Sequence, residues 1–287
     1  MGQLYITMKK LLLIILIFSL QFTVSQDLNV TKDRTLWNDF TYDMGNVFGG
    51  IGHAYSRPFH WQGNDWANFG YMVAGTGLLF TIDDEVDEWA NGFRDDVPQF
   101  IKDYGNSYGN PDNNYMLTGA VYLTGLFAKD EKLRRTGVLL ISSATASGFF
   151  QQVAKRLVGR ARPKSGESSF TFDPSFGFNR IFNYDSFPSG HAMLAFTNAY
   201  VIAKQFKNPW IKAGIYTVGS IPGFVRVIDR FHWISDVAFS TVLSIFIVES
   251  IDRYLDKKYA EKYNDNTKAV SWNLTFAPNR IGVVLQF

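Results

Sequence analysis

The chain contains no cysteine, which excludes disulfides, thiolate catalysis and zinc sites built on sulfur and leaves its redox compartment open. An excess of charge of one sign is also missing. Formal net charge is +2 and the aromatic residues sit in apolar runs rather than among basic clusters, so nucleic acid is not an expected partner. There is no phosphate-loop motif and no GxGxxG fingerprint following a strand. Long apolar runs are scarce too: several are only about 14 to 16 residues, short of the roughly 20 that cross a bilayer without strain. What is present is 287 residues, 46% of them hydrophobic and 16% aromatic, enough for one sizeable core and most simply one domain.

At the amino terminus Lys9 and Lys10 precede the apolar run LLLIILIFSLQF, followed by the small residues Thr23, Val24 and Ser25. A basic region, a short apolar region and small residues form the pattern of a secretory signal, expected over residues 1–25; a retained anchor helix is the alternative. Either way the remainder is expected outside the cytoplasm, on the periplasmic side of the cell envelope.

Apolar segments recur at about 68–82, 115–128, 136–154, 191–206, 210–227 and 233–251, which predicts an all-α bundle of about six core helices within a domain spanning 26–265. Their Gly, Ala, Ser and Thr content permits close helix approach in a membrane or in water. Lys129, Lys132, Arg134 and Arg135 follow the second segment, Lys204, Lys207 and Lys212 the fourth, and Arg253, Lys257 and Lys258 the sixth, a positive-inside pattern. Six spans after an extracytoplasmic start would place those loops outside. A membrane-associated extracytoplasmic bundle, or a first segment that does not cross, resolves the conflict. From 266 to 287 the period changes: Trp272, Leu274 and Phe276, then Ile281, Val283, Leu285 and Phe287, alternate around Pro278-Asn279 and predict a β-hairpin packed on the bundle.

Three separated clusters share one chemistry. In KRLVGRARP, Lys155 and Arg162 lie seven residues apart, so two cations can project from one helix face before Pro163 stops the helix. A solvated basic face with Arg156 and Arg160 is the alternative. In FPSGHA, Ser189 can cap a helix beginning at Gly190, whose N–H groups and dipole favour an anion, with His191 beside it for proton transfer. A histidine merely tucked into a first turn is the plainer reading. In RVIDRFHWISD, His232 and Asp236 are four apart, so the carboxylate can take the Nδ1 proton and free Nε2 as nucleophile, with Arg226 a third cation. An ordinary surface pair is the alternative there.

In order and spacing these clusters, K-x6-R-P, then P-S-G-H after 24 residues, then R-x5-H-x3-D after another 34, resemble the type 2 phosphatidic acid phosphatase and vanadium haloperoxidase superfamily over about 136–251. The resemblance implies that Lys155, Arg162, Ser189, Gly190 and Arg226 hold a phosphate. It implies that His232 attacks phosphorus to give a phosphohistidine, that Asp236 orients it, and that His191 protonates the leaving oxygen and then activates water. One departure is Val225, where the family usually has serine.

Three fixed cations and helix amides can stabilise the reacting phosphoryl group without a metal, so no metal and no cofactor are expected. Vanadate would enter only if the chain were a haloperoxidase, which the short spacers disfavour. The expected substrate is a phosphomonoester or pyrophosphate, most plausibly of a lipid such as phosphatidate, phosphatidylglycerol phosphate, undecaprenyl pyrophosphate or lipid A. A soluble broad-specificity acid phosphatase and a non-catalytic lipid binder are the alternatives. The acidic run Asp83, Asp84, Glu85, Asp87 and Glu88 lacks the glycine and spacing of a calcium loop and reads as a solvated face. His53 and His60, near Gly49, Gly50 and Gly52, read as helix packing and turns. Oligomeric state is not encoded in any of these features.

Overall fold

The computed structural model describes residues 35–174 and 182–264, together with the strand backbones 271–277 and 280–286. The signal peptide expected over 1–25 lies outside the described residues. The fold is all-α, with nine rather than six α-helices among the described residues. In chain order they are α1 (Leu36–Ser56), α2 (Gly63–Phe80), α3 (Asp83–Phe93), α4 (Gln99–Tyr108), α5 (Pro111–Phe127), α6 (Glu131–Val158), α7 (Gly190–Lys204), α8 (Pro209–Ile228) and α9 (Ile234–Asn264). The six predicted segments became α2 and α5 to α9, most of them longer than their apolar stretches.

Helix α6, 28 residues long, starts on Asp130, whose carboxylate accepts the Leu133 N–H at 2.9 Å. Its buried Val138, Leu139 and Leu140 join Val201 of α7 and Val248, Ile251 and Leu255 of α9 in one core. Each such side chain contributes about 1.5–3 kcal/mol by leaving water. Helices α5 and α6 approach until a Cβ on Gly137 would lie 2.5 Å from the Tyr122 Cα, so the pairing needs glycine there. Helix α7 is buried along most of its length and fills the middle of the bundle.

Helix α1 escaped the apolar pattern because its buried face is polar: Asp39, Asp43 and Asn46 point inward with Val47 and Gly50. The reason is Arg134 of α6, fully buried, which holds Asp39 at 2.5 Å and Asp43 at 2.8 Å. The Tyr122 and Tyr259 hydroxyls donate to the same Asp43 carboxylate. Gly49 and Gly50 of α1 serve helix packing, since a Cβ on Gly49 would overlap the Tyr254 ring, on which His53 stacks, and one on Gly50 would meet Ile251 at 3.0 Å; a Cβ on Gly52 would meet open space.

The acidic run is a solvated face only in part: Asp84, Glu85 and Glu88 are exposed, but Asp83 and Asp87 turn inward. It forms the start of α3, where Asp83 is buried against Arg160 and Asp87 forks onto Arg230 at 2.9 and 2.7 Å. At the carboxyl end Ser271–Ala277 pairs antiparallel with Arg280–Gln286, Trp272 opposite Leu285 and Phe276 opposite Ile281. The hairpin's side chains and the turn residues 278–279 lie outside the described residues. Among the described residues one helix stretch, Ile234–Lys262 in α9, is long and apolar enough to cross a membrane.

Candidate active site

Local structure corrects the expected route by which Lys155 and Arg162 meet. Helix α6 ends before Pro163, at Gly159, which takes a left-handed conformation with φ +58° and donates its N–H to the Lys155 carbonyl. A Cβ there would also strike the Asp173 carbonyl oxygen at 2.0 Å. Residues beyond it run extended, with the Ala161 N–H bonded to Thr171 and the Arg162 N–H to Asn183. Lys155 and Arg162 therefore share no helix face. They converge because both reach Asp185: Lys155 Nζ donates to its carbonyl, and Arg162 Nε to its carboxylate at 2.6 Å.

Ser189 is the N-cap residue of α7, but its hydroxyl makes no capping bond and has no hydrogen-bond partner among the described residues, although it is fully buried. A buried hydroxyl left unpaired costs about 1–3 kcal/mol, which an anion oxygen would recover. Gly190 is bare for a reason beyond anion access: a Cβ on it would lie 2.4–2.6 Å from the Gln151 amide. His191 in the first turn is backed by Gly109, where a Cβ would come within 2.7 Å of its side chain.

Arg226 lies in the last turn of α8, with its Nε buried and unpaired among the described residues. Its guanidinium stands 5.0 Å from the Phe231 ring centroid, and that of Arg162 stands 5.3 Å from the same ring. Burial and the nearby Arg162 lower the Arg226 pKa to about 10. Val225, where serine was expected, is buried against Gly105 of α4, so an apolar contact replaces a polar one.

His232 and Asp236 are not partners on a shared helix face. His232 lies in the bend before α9, which begins at Ile234, and its Nδ1 is 4.0 Å from Asp236, too far for a hydrogen bond. Nδ1 instead meets the Ser186 carbonyl at 2.5 Å. Because a carbonyl only accepts, Nδ1 carries the proton and Nε2 keeps its lone pair. Asp236 is saturated elsewhere: the Ser186 hydroxyl donates to it at 2.5 Å, the Trp233 N–H at 3.1 Å and Arg160 at 2.6 Å. It is a positioning residue that reaches His232 through Ser186. Sequence reasoning missed Gln151, Arg160, Asp185, Ser186 and Phe231; Arg160 and Ser186 stand inside or beside the motifs, yet their partners are 46 to 77 residues away.

The same charges act on both histidines. Burial and then Arg226, Lys155 and Arg162 lower the His191 pKa to about 3; burial and the same three cations push His232 well below its ordinary value. Between about 3 and 6.5 the unfolded chain therefore binds a proton at His191 that the folded chain refuses, so stability falls as pH drops through this window. Thermal melts from pH 7 to 5 are expected to show Tm falling less steeply in His191→Asn than in the parent. Equal slopes would contradict the assignment.

Fold and site together define an all-α protein in which three cations, Lys155, Arg162 and Arg226, and the start of α7 form a cradle beside the histidines His191 and His232. Residues 136–258, somewhat under half of the chain, match the family model of the PAP2 superfamily. Over 190 residues the chain is 25% identical to the lipid A 1-phosphatase of Porphyromonas gingivalis, covering 62% of this chain and 36% of that protein. The chain thus spans about a third of the length of this curated relative. It is also similar to the crystal structure of the transmembrane PAP2 type phosphatidylglycerolphosphate phosphatase from Bacillus subtilis, at 19% identity and a TM-score of 0.48, over 67% of this chain and 95% of that one.

Proposed function

We propose that the chain is a phosphatase that hydrolyses a phosphomonoester or pyrophosphate of a membrane lipid, through a phosphohistidine and without a metal, at the extracytoplasmic side of a membrane. The observation that carries this reading is the Nδ1 of His232 on the Ser186 carbonyl, which leaves an unprotonated Nε2 with its lone pair free in the field of Lys155, Arg162 and Arg226. The lipid preference draws on the named activity of the Porphyromonas relative and on the apolar length of α9.

In the first step Nε2 of His232 forms a bond to phosphorus while the bond to the leaving oxygen breaks, and His191, which takes up a proton as the substrate anion binds, gives that proton to the leaving oxygen. Water then attacks phosphorus, the P–N bond breaks, and His191 takes the water proton, returning to its starting form. Substrate anion offsets the three cations that hold the His191 pKa down, so binding itself raises the acid's proton affinity. The cations, the Ser189 hydroxyl and the α7 amides stabilise charge on the phosphoryl oxygens.

The test is phosphate release from a panel of lipid A, phosphatidylglycerol phosphate, phosphatidate and undecaprenyl pyrophosphate with EDTA present. Release from at least one lipid is expected. Activity abolished by EDTA would overturn metal independence, and halide-dependent bromination after vanadate loading without phosphate release would overturn the phosphatase reading. Release from small phosphoesters alone would identify the broad-specificity alternative.

Gly109→Ala would press a methyl group into His191. Displacing the acid is expected to lower kcat on an alkyl phosphate by roughly ten- to a hundredfold. The loss on p-nitrophenyl phosphate, whose leaving group needs no proton, should be smaller, and equal losses on both would dissociate Gly109 from the acid step.

A further inference from the structure

Helix α3 lies outside the segment that matches the PAP2 family, yet it grips the loop that carries His232 at both ends. At the entrance, Arg230 adopts a left-handed turn with φ +58° and is held by the Asp87 fork and by the Pro163 carbonyl. At the exit, Asp83 accepts the Ser235 N–H at 3.0 Å and the Ser235 hydroxyl at 2.5 Å. The first turn of α9 has N–H groups with no partner of their own, and Asp83 caps it from another helix. Asp83 also accepts from Arg160 at 2.7 Å, and the other branch of that guanidinium holds Asp236. Asp236 takes the Ser186 hydroxyl, and the Ser186 carbonyl takes the His232 Nδ1 proton.

We infer that Asp83 is a positioning residue for the nucleophile, acting through Arg160, Asp236 and Ser186. Two consequences follow from the geometry and rest on the proposed phosphatase reading. Asp83 fixes where Nε2 stands relative to phosphorus, because the Ser186 carbonyl and the start of α9 are both anchored on the Arg160–Asp83 pair. It also supplies charge: Asp83 and Asp236 carry two negative charges against one on Arg160, so the network behind His232 is net anionic when both are ionised. Attack turns His232 into a cationic phosphoimidazole, which that network stabilises.

Asp83→Asn keeps the shape and removes the charge. With the full chain, kcat is expected to fall roughly ten- to a hundredfold while KM and the inhibition constant for vanadate stay within about twofold. Asp83→Glu, which restores the charge, should recover part of the lost kcat. An unchanged kcat, or a loss of vanadate binding as large as the loss of turnover, would overturn the inference.

A second readout does not depend on turnover. The chain has four histidines, and in 15N-histidine-labelled protein the His232 Nδ1–H is identified by its disappearance in His232→Gln. In Asp83→Asn that signal is expected to shift and exchange faster with water, with the His53 and His60 signals unmoved. If the parent releases no phosphate from any substrate, the phosphatase reading fails while this signal still decides the positioning claim; an unshifted signal refutes it.

Discussion

His232→Ala is expected to release phosphate at less than about a thousandth of the parent rate, because the other histidine at the cradle, His191, serves the leaving oxygen in the proposed mechanism and has no carbonyl holding its ring as Ser186 holds that of His232. The variant keeps Lys155, Arg162, Arg226 and Ser189, so vanadate should still bind. The neutral His232 ring contributes no charge to that binding. Rapid quench with 32P-labelled p-nitrophenyl phosphate checks the same claim: acid-labile, base-stable label is expected on the parent and none on the variant. His191→Ala provides the contrast, since a nucleophile without its acid should still be labelled by a substrate whose leaving group departs unaided. An active His232→Ala enzyme would remove the nucleophile assignment outright.

The second large effect concerns stability and lies at a different site. Arg134 is buried among Asp39, Asp43 and the hydroxyls of Tyr122 and Tyr259. Arg134→Leu fills similar space but removes the cation that both buried carboxylates hold, leaving Lys262 3.6 Å from Asp39 and the two tyrosine hydroxyls on Asp43. Breaking a buried pair from one side costs about 3–5 kcal/mol. For a chain of this size that corresponds to a Tm lower by roughly 10 °C. Adding Asp43→Leu to the variant should recover part of the loss, because the stranded charge is removed with its partner. A Tm within about 2 °C of the parent would show that the carboxylates find water or protons cheaply.

How much of this was legible depends on the reach of each interaction. Helical periodicity located α5 to α9, whose buried faces are apolar, and the three clusters located the three cations, the start of α7 and both histidines of the cradle. It could not locate α1, since a buried face built from Asp39, Asp43 and Asn46 looks like a surface until Arg134 is seen opposite. The same blindness turned Asp83 and Asp87 into a solvent face and Arg160 into a bystander. Their partners are Arg160, Ser235 and Arg230, all far along the chain. The i,i+4 rule paired His232 with Asp236, but α9 starts after the histidine, so the rule had no helix to act on. Spacing alone also could not show that Ser186 stands between them. Gly109 carried no signal at all; only the closeness of α4 to His191 gives it meaning.

The Phe231 ring, with a guanidinium near it from α8 and another from the stretch after α6, sets the terms on which the cradle lets go. With Lys164 5.2 Å from the same ring, three like charges gather beside it. On the proposed reading, charge alone would not separate reactant from spent phosphate, so the rate of escape of the free anion would be a property of these cations, and inorganic phosphate would compete with substrate for the cradle.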